Sequence, residues 1–253
     1  KVAGLEVSVG RTFGLQEVTA TVGLFTHGDT AGTLLSFRGW ALHDLRSTAS
    51  GHFPLPPLRP FIKTKQPKYS TSVLEIDSLT GRYGRLAWRR GPVMLDAFYY
   101  DNRGDRISRT SVKEWAWDTR FWAVGADVDL TPTTRLRAQA LEGVTLMGFS
   151  TPAIWVDVDY QAAYVMLTQA IGEGAVSVRY DRFETGDATW IAADPNMETG
   201  WAATAAWKRP LGPDMDLVLE ALHVSSDRPG RVSAGLPPER DQTVLQSALR
   251  MRF

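Results

Sequence analysis

Over most of this chain apolar and polar side chains trade places at nearly every step, a period of two that suits half-buried strands and little else. In "RYGRLAWRRGPVMLDAFYYD" Leu86 and Trp88 share one parity while Arg85 and Arg89 take the other. Gly91-Pro92 turns the chain, after which Leu95, Ala97 and Tyr99 alternate with Asp96. The next hairpin sets Trp122, Val124, Ala126, Val128 and Leu130 against Asp127 and Asp129, turns at Thr131-Pro132-Thr133, and sets Leu136, Ala138 and Ala140 against Arg135 and Arg137. In the third, Val156, Val158, Tyr160, Ala162, Tyr164 and Met166 read as the apolar parity and Asp157, Asp159 and Gln161 as the polar one. Beyond Gly172-Glu173-Gly174, Val176, Val178 and Tyr180 alternate with Arg179 and Asp181. The fourth opposes Trp201, Ala203, Ala205 and Trp207 to Thr204 and Lys208, then Leu217, Leu219 and Ala221 to Asp216 and Glu220. An upstream hairpin around Val18–Leu24 and a closing strand from about Thr243 to Phe253 bring the reading to eleven strands, with no helix-period segment of useful length.

The connections sort by length. Those near 14–17, 91–92, 131–133, 171–174 and 210–214 are short, whereas those near 27–81, 102–114, 147–154, 185–198 and 227–241 are long and rich in Gly, Pro, Asp and Ser. A soluble sandwich has no reason to sort its loops so consistently; a transmembrane barrel does, with short turns at one rim and long loops at the other. The expected fold is therefore all-β: one transmembrane antiparallel up-and-down β-barrel domain over 1–253, of about twelve strands. Even closure needs one strand more than the eleven read, either upstream of Lys1 or inside the 27–81 connection, in "TLLSFRGWAL" or "TSVLEIDSL".

Composition agrees with this class. Lys and Arg number 28 and Asp and Glu 28, so the basic excess expected of a nucleic-acid binder is missing and no nucleic-acid partner is expected. There is no cysteine, which excludes disulfide scaffolds and thiolate chemistry. No stretch approaches the roughly 20 apolar residues of a spanning helix, but a barrel puts only alternate residues in lipid and averages to neutral hydropathy.

The two parities predict two kinds of site. Trp88, Tyr99, Trp122, Tyr160, Tyr164, Tyr180, Trp201, Trp207 and Phe253 are expected to face outward as interfacial aromatics against membrane lipids. Arg85, Arg89, Asp96, Asp127, Asp129, Arg135, Arg137, Asp157, Asp159, Arg179, Lys208, Asp216, Glu220, Arg250 and Arg252 are expected to face inward. There they would either line a charged aqueous path or brace a narrow lumen as a ladder of pairs, Asp129 facing Arg135, Asp127 facing Arg137 and Lys208 facing Asp216. The segment "GHFPLPPLRPFIKTKQPKY" has four cations, no acid and too much proline for a central strand. Its loop could form a constriction, cover the outer surface, dock envelope protein partners, or remain an external loop. The four histidines lie outside any hydrolase or metal motif, so neither catalysis, a cofactor nor a metal is expected. A lipid hydrolase using His223 near Ser225 and Ser226 is the enzymatic alternative.

The C-terminal run, through Leu245, Leu249, Met251 and Phe253, resembles the terminal signal of Gram-negative outer-membrane β-barrel proteins, and "AGTLLSFRGWALHD" is similar to porins of the α-proteobacterial group near the phosphate-selective porins. The resemblance implies residence in the outer membrane, recognition of the last strand by the outer-membrane assembly machinery, and passive diffusion of small hydrophilic solutes or ions. A non-conducting scaffold in an envelope complex is the other expectation. The mixed signs of the polar parity depart from the strongly cationic constriction of phosphate-selective channels. Deleting Phe253, or Phe253→Asp, is expected to lower the amount of assembled barrel in outer-membrane fractions while synthesis continues; unchanged membrane levels would show that the terminal aromatic is not read.

Overall fold

The computed structural model describes residues 3–40, 51–149, 155–188 and 194–252. The chain forms β1 (Ala3–Phe13), β2 (Gln16–Thr26), a short helix α1 (Thr33–Arg38), the small strands β3 (His52–Pro54) and β4 (Tyr69–Thr71), then β5 (Gly81–Arg90), β6 (Val93–Asp101), β7 (Asp118–Thr131), β8 (Thr134–Gly148), β9 (Trp155–Ile171), β10 (Gly174–Thr185), β11 (Glu198–Gly212), β12 (Met215–Asp227) and β13 (Glu239–Met251). A 3-10 turn at Pro229–Ala234 joins the last two. Eleven strands make one antiparallel sheet in the order β1-β2-β5-β6-β7-β8-β9-β10-β11-β12-β13, and β3 pairs only with β4. Every pairing in the large sheet is between strands consecutive along it, so nothing crosses over and the short turns lie at one end. Among the described residues β1 and β13 have a neighbour on one side only. Neither candidate for a further strand in the 27–81 connection forms one: Thr33–Arg38 is helical, and only Thr71 of "TSVLEIDSL" is in a strand, the end of the small hairpin.

Register assigns the two faces. Asp127 stands opposite Arg137, Arg137 opposite Met166, Met166 opposite Arg179 and Arg179 opposite Thr204, so these residues share a face across five strands. Trp122, Val124, Val165, Val178, Tyr180, Trp201, Trp207, Leu219, Leu245 and Leu249 lie on the other and are exposed. We call them the covered and the open face, because the long connections fold over the first. α1 and the 51–80 segment lie across its loop end together with 102–117. Ile62, Trp115, Trp117, Met147, Val156 and Val158 form a buried cluster there, with Leu35, Phe37, Leu58 and Phe61 packed around it. A Cβ at Gly32 would collide with Thr145 Oγ1 and the Trp117 ring, so only glycine lets the start of α1 come this close to β8.

Polar groups pin the cover in place. The Asn102 amide donates to the carbonyls of Gly28 and Trp117, at 3.1 and 2.7 Å, and the Trp117 N–H donates to Asp29 O at 2.8 Å. The Trp115 indole N–H reaches Lys65 O at 2.8 Å, and Glu114 accepts from both the N–H and the hydroxyl of Thr71. Trp117 is fully buried, and truncating a side chain of that kind costs about 3–5 kcal/mol. Over the residues described, the proline-dense segment packs across one face of the sheet; 41–50 lie outside them.

Candidate functional site

The covered face below this roof is polar and charged. Asp127 accepts from Arg135 and, at 2.8 Å, from Arg137 Nε; Arg135 also lies 3.6 Å from Asp129. Arg85 pairs with Asp96 at 3.1 Å, Arg179 with Asp181, and Asp216 takes both Lys208 at 3.1 Å and Arg252 at 2.9 Å. Asp127 is registered opposite Arg137 and Asp129 opposite Arg135, whereas Lys208 stands opposite Val218, so its bond to Asp216 is diagonal. Arg250 is registered opposite Asp216, Glu220 accepts from the Gln246 amide, and Arg89 reaches the Met94 sulfur at 3.2 Å. The cations of this ladder are near half-exposed, a setting in which one ion pair contributes about 1 kcal/mol or less. Its effect is to fix register and to order charge along the face.

One strand, β9, reverses the expected facing, while its hairpin partner β10 keeps it. The β8–β9 register puts Tyr160 opposite Gly143, Tyr164 opposite Gln139 and Met166 opposite Arg137, so Val156, Val158, Tyr160 and Tyr164 lie on the covered face. Asp157 and Asp159, opposite Leu146 and Val144, lie on the open one. The physical reason is the roof, which makes the covered face packed and dry at the loop end. Val156 and Val158 therefore point under the cover and the aspartates away from it. Tyr164 instead lies beneath the Arg179 guanidinium, 3.8 Å from its ring centre. Trp88, Tyr99, Trp122, Tyr180, Trp201 and Trp207 lie on the open face, with Tyr180 stacked on Trp201. Phe253 lies outside the described residues.

The covered face also holds aromatics the alternation did not single out. Phe25, Tyr83, Phe98, Tyr100 and Phe121 form a chain of ring contacts with centroids 5.0–6.1 Å apart. Four covered rings lie over a glycine directly opposite on the next strand: Phe25 over Gly81, Tyr83 over Gly23, Tyr160 over Gly143 and Phe183 over Gly200. The missing Cβ lets each ring lie flat against the sheet. Glycine on the polar parity was the readable signal for them.

Trp40 is the inner surface of the roof. It stacks on Phe183, tilts against Tyr160, and its N–H donates to Glu198 Oε2 at 2.7 Å. Beneath it a cavity of about 410 Å³ is bounded by Arg179, Asp181, Thr204, Glu220 and Leu222. A second grouping brings the carboxylates of Asp29, Glu75 and Asp77 within 4.8 Å of one another under the β2 end of the roof, where they could hold a cation. Burial, then the neighbouring Asp77 and Glu75, raises the Asp29 carboxyl above its ordinary value despite N–H donors from Ile76 and Asp77. No protein-family profile matches the chain, and no curated protein is significantly similar to it.

Because Asp29 holds its proton more tightly in the docked cover than in a released one, its stabilising contribution is complete below the ordinary carboxylate range, about pH 4, and is lost as pH rises through the elevated value. Release of the 51–68 segment to a protease should therefore slow as pH falls from 7 toward 4. Asp29→Asn, which keeps an acceptor for the Ile76 N–H, should flatten that profile and slow release at pH 7. Parallel profiles for the two proteins would assign the pH dependence elsewhere.

Proposed function

We propose that this sheet is the wall of an outer-membrane β-barrel through which small hydrophilic solutes or ions diffuse passively, the covered face being its lumen and residues 27–40 and 51–80 its inward constriction. The carrying observation is the polarity of the open face along the strands. On β7 it is apolar from Trp122 to Leu130, roughly 27 Å of strand at ~3.4 Å per residue, or roughly 20 Å of membrane normal at a tilt of about 40°. Polar open-face residues begin level with Trp122, at Glu142 and Glu184, and continue loopward through Arg120, Asp118, Asp159 and Asp157; Arg182, opposite Trp201, stands at the edge of the band, level with Val124. Tyr99, Trp122 and Trp201 lie toward that border, Trp88 and Trp207 toward the turns, as two interfacial girdles would.

β1 and β13 both run from the loop end to the turn end, so pairing them directly would be parallel. One further strand of opposite direction between them makes an antiparallel cylinder of twelve and leaves no edge in lipid, where unpaired backbone groups are costly. The last strand is then read by the outer-membrane assembly machinery, and no catalysis or cofactor is required. A non-conducting scaffold is the second reading. It is favoured by the Trp40–Phe183–Tyr160 packing, which narrows the passage under the roof.

Planar-bilayer recording of the full-length protein tests the proposal. Discrete ohmic steps are expected, and Trp40→Ala should enlarge them; a folded protein that never conducts, with or without Trp40, sinks the channel in favour of the scaffold. Arg135→Glu with Arg137→Glu should leave the barrel assembled and move ion selectivity toward cations, most strongly at low salt, where screening is weakest. An unchanged reversal potential in that variant would place these arginines off the conducting path.

A further inference from the structure

At the loop end, α1, the 55–62 segment and the β12–β13 connection enclose a chamber of about 240 Å³. Among its described lining residues Arg38, Arg59, Arg228, Arg231 and Arg240 face a single acid, Asp194. Most of the nearby charge and hydrogen-bonding capacity is committed. Arg59 is paired with Asp194. Glu198, behind the wall, accepts from Arg231 at 2.9 Å and from the Trp40 N–H at 2.7 Å. Arg38 donates twice to Pro54 O.

Arg228 is different. It is 5% exposed, its two terminal nitrogens donate to the carbonyls of Phe37 and Ser36 at 3.3 and 2.6 Å, and its Nε has no partner among the described residues. The Ser36 hydroxyl, also on a residue 5% exposed and on the same wall, has none either. Gly230 brings a second guanidinium alongside, since the position its Cβ would take is 2.6 Å from Arg59 Nη2 and 3.8 Å from Arg228 Nε. Burial first, then the nearby Arg59 and Arg231, push Arg228 down to about 10, against the pull of Glu198. The group still carries its charge at neutral pH. Two carbonyls touch this buried cation and, among the described residues, no carboxylate lies within hydrogen-bond distance of it: Glu198 and Asp194 act on it from farther off, each paired with another arginine, so Nε is a donor left for a further acceptor.

The other wall is apolar, made by Phe37, Leu58, Ile62 and Leu236. A bare inorganic oxyanion would leave that surface unused, and the volume is below the roughly 300–1,000 Å³ of pockets for drug-sized ligands. We propose that the chamber binds a small organic carboxylate of a few carbons: its oxygens accept from Arg228 Nε and the Ser36 hydroxyl, and its alkyl body lies against Leu58, Ile62 and Leu236. A carboxylate is planar and matches the edge of a guanidinium. Bound there, it would tie α1 to the β12–β13 connection, two parts of the roof. This site does not depend on conduction through the sheet.

Isothermal titration of the full-length protein, refolded in a non-ionic detergent, with sodium butyrate as probe and sodium sulfate as comparison, tests the assignment. Butyrate should bind saturably with one site per chain, and sulfate at least tenfold more weakly. Ser36→Ala, which removes only the orphan hydroxyl, should weaken butyrate about threefold, and Arg228→Gln at least tenfold. Since Arg228 also holds α1, Arg240→Gln on the exposed side of the chamber serves as a variant that leaves α1 untouched and should weaken butyrate by a smaller factor. Absence of saturable butyrate binding by the unaltered protein overturns the proposal, as does equal binding by all three variants. Sulfate binding as tight as butyrate overturns the carboxylate assignment and makes the chamber a plain oxyanion site.

Discussion

Strand register is the constraint from which the rest of the structure follows. Side chains alternate with a period of two, so fixing one residue against its neighbour fixes the facing of a whole strand, and a slip of one residue would turn every side chain over. Asp127 and Asp129 opposite Arg137 and Arg135 pin the β7–β8 pair, and the glycines beneath Tyr160, Phe183, Tyr83 and Phe25 pin others by shape. A tyrosine shifted by one position would meet a Cβ where it now meets open backbone. Charge and steric fit thus specify the same register by independent means.

That register lets polarity invert along the strands. In the middle of the sheet the open face is apolar and the covered face carries ions; at the loop end the covered face holds Trp115, Trp117, Met147 and Val156 while the open face carries Asp118, Asp157 and Asp159. The inversion follows from the cover. Once α1 and the 51–80 and 102–117 segments lie on the sheet, the surface beneath them is dry and becomes favourable for apolar side chains, by roughly 25 cal/mol per Å² buried. A strand long enough to pass through both zones must change its code partway. β9, seventeen residues long, does so.

The cover also concentrates the chemistry. Its packing brings Trp40 over a charged cavity and buries Arg228 and Ser36 without full complements of partners. It gathers Asp29, Glu75 and Asp77 from two ends of one connection. The sheet supplies a stiff frame, and the connections supply the groups whose environment departs from that of ordinary surface residues.

What the sequence determined by itself was set by local periodicity: an all-β chain, its turns and long connections, and the facing of every strand whose alternation had one code throughout. Pairs such as Asp127 with Arg137 were legible because a tight turn fixes register by counting residues outward. The facing of β9, the rings over glycines, the α1 helix in place of a strand, and the arginine chamber were decided only by tertiary structure. Each depends on residues far apart in sequence, as Arg228 on Ser36 and Trp40 on Glu198. Alternation reports which side of a strand differs from the other, and only the packing of a distant segment determines which of the two sides is dry.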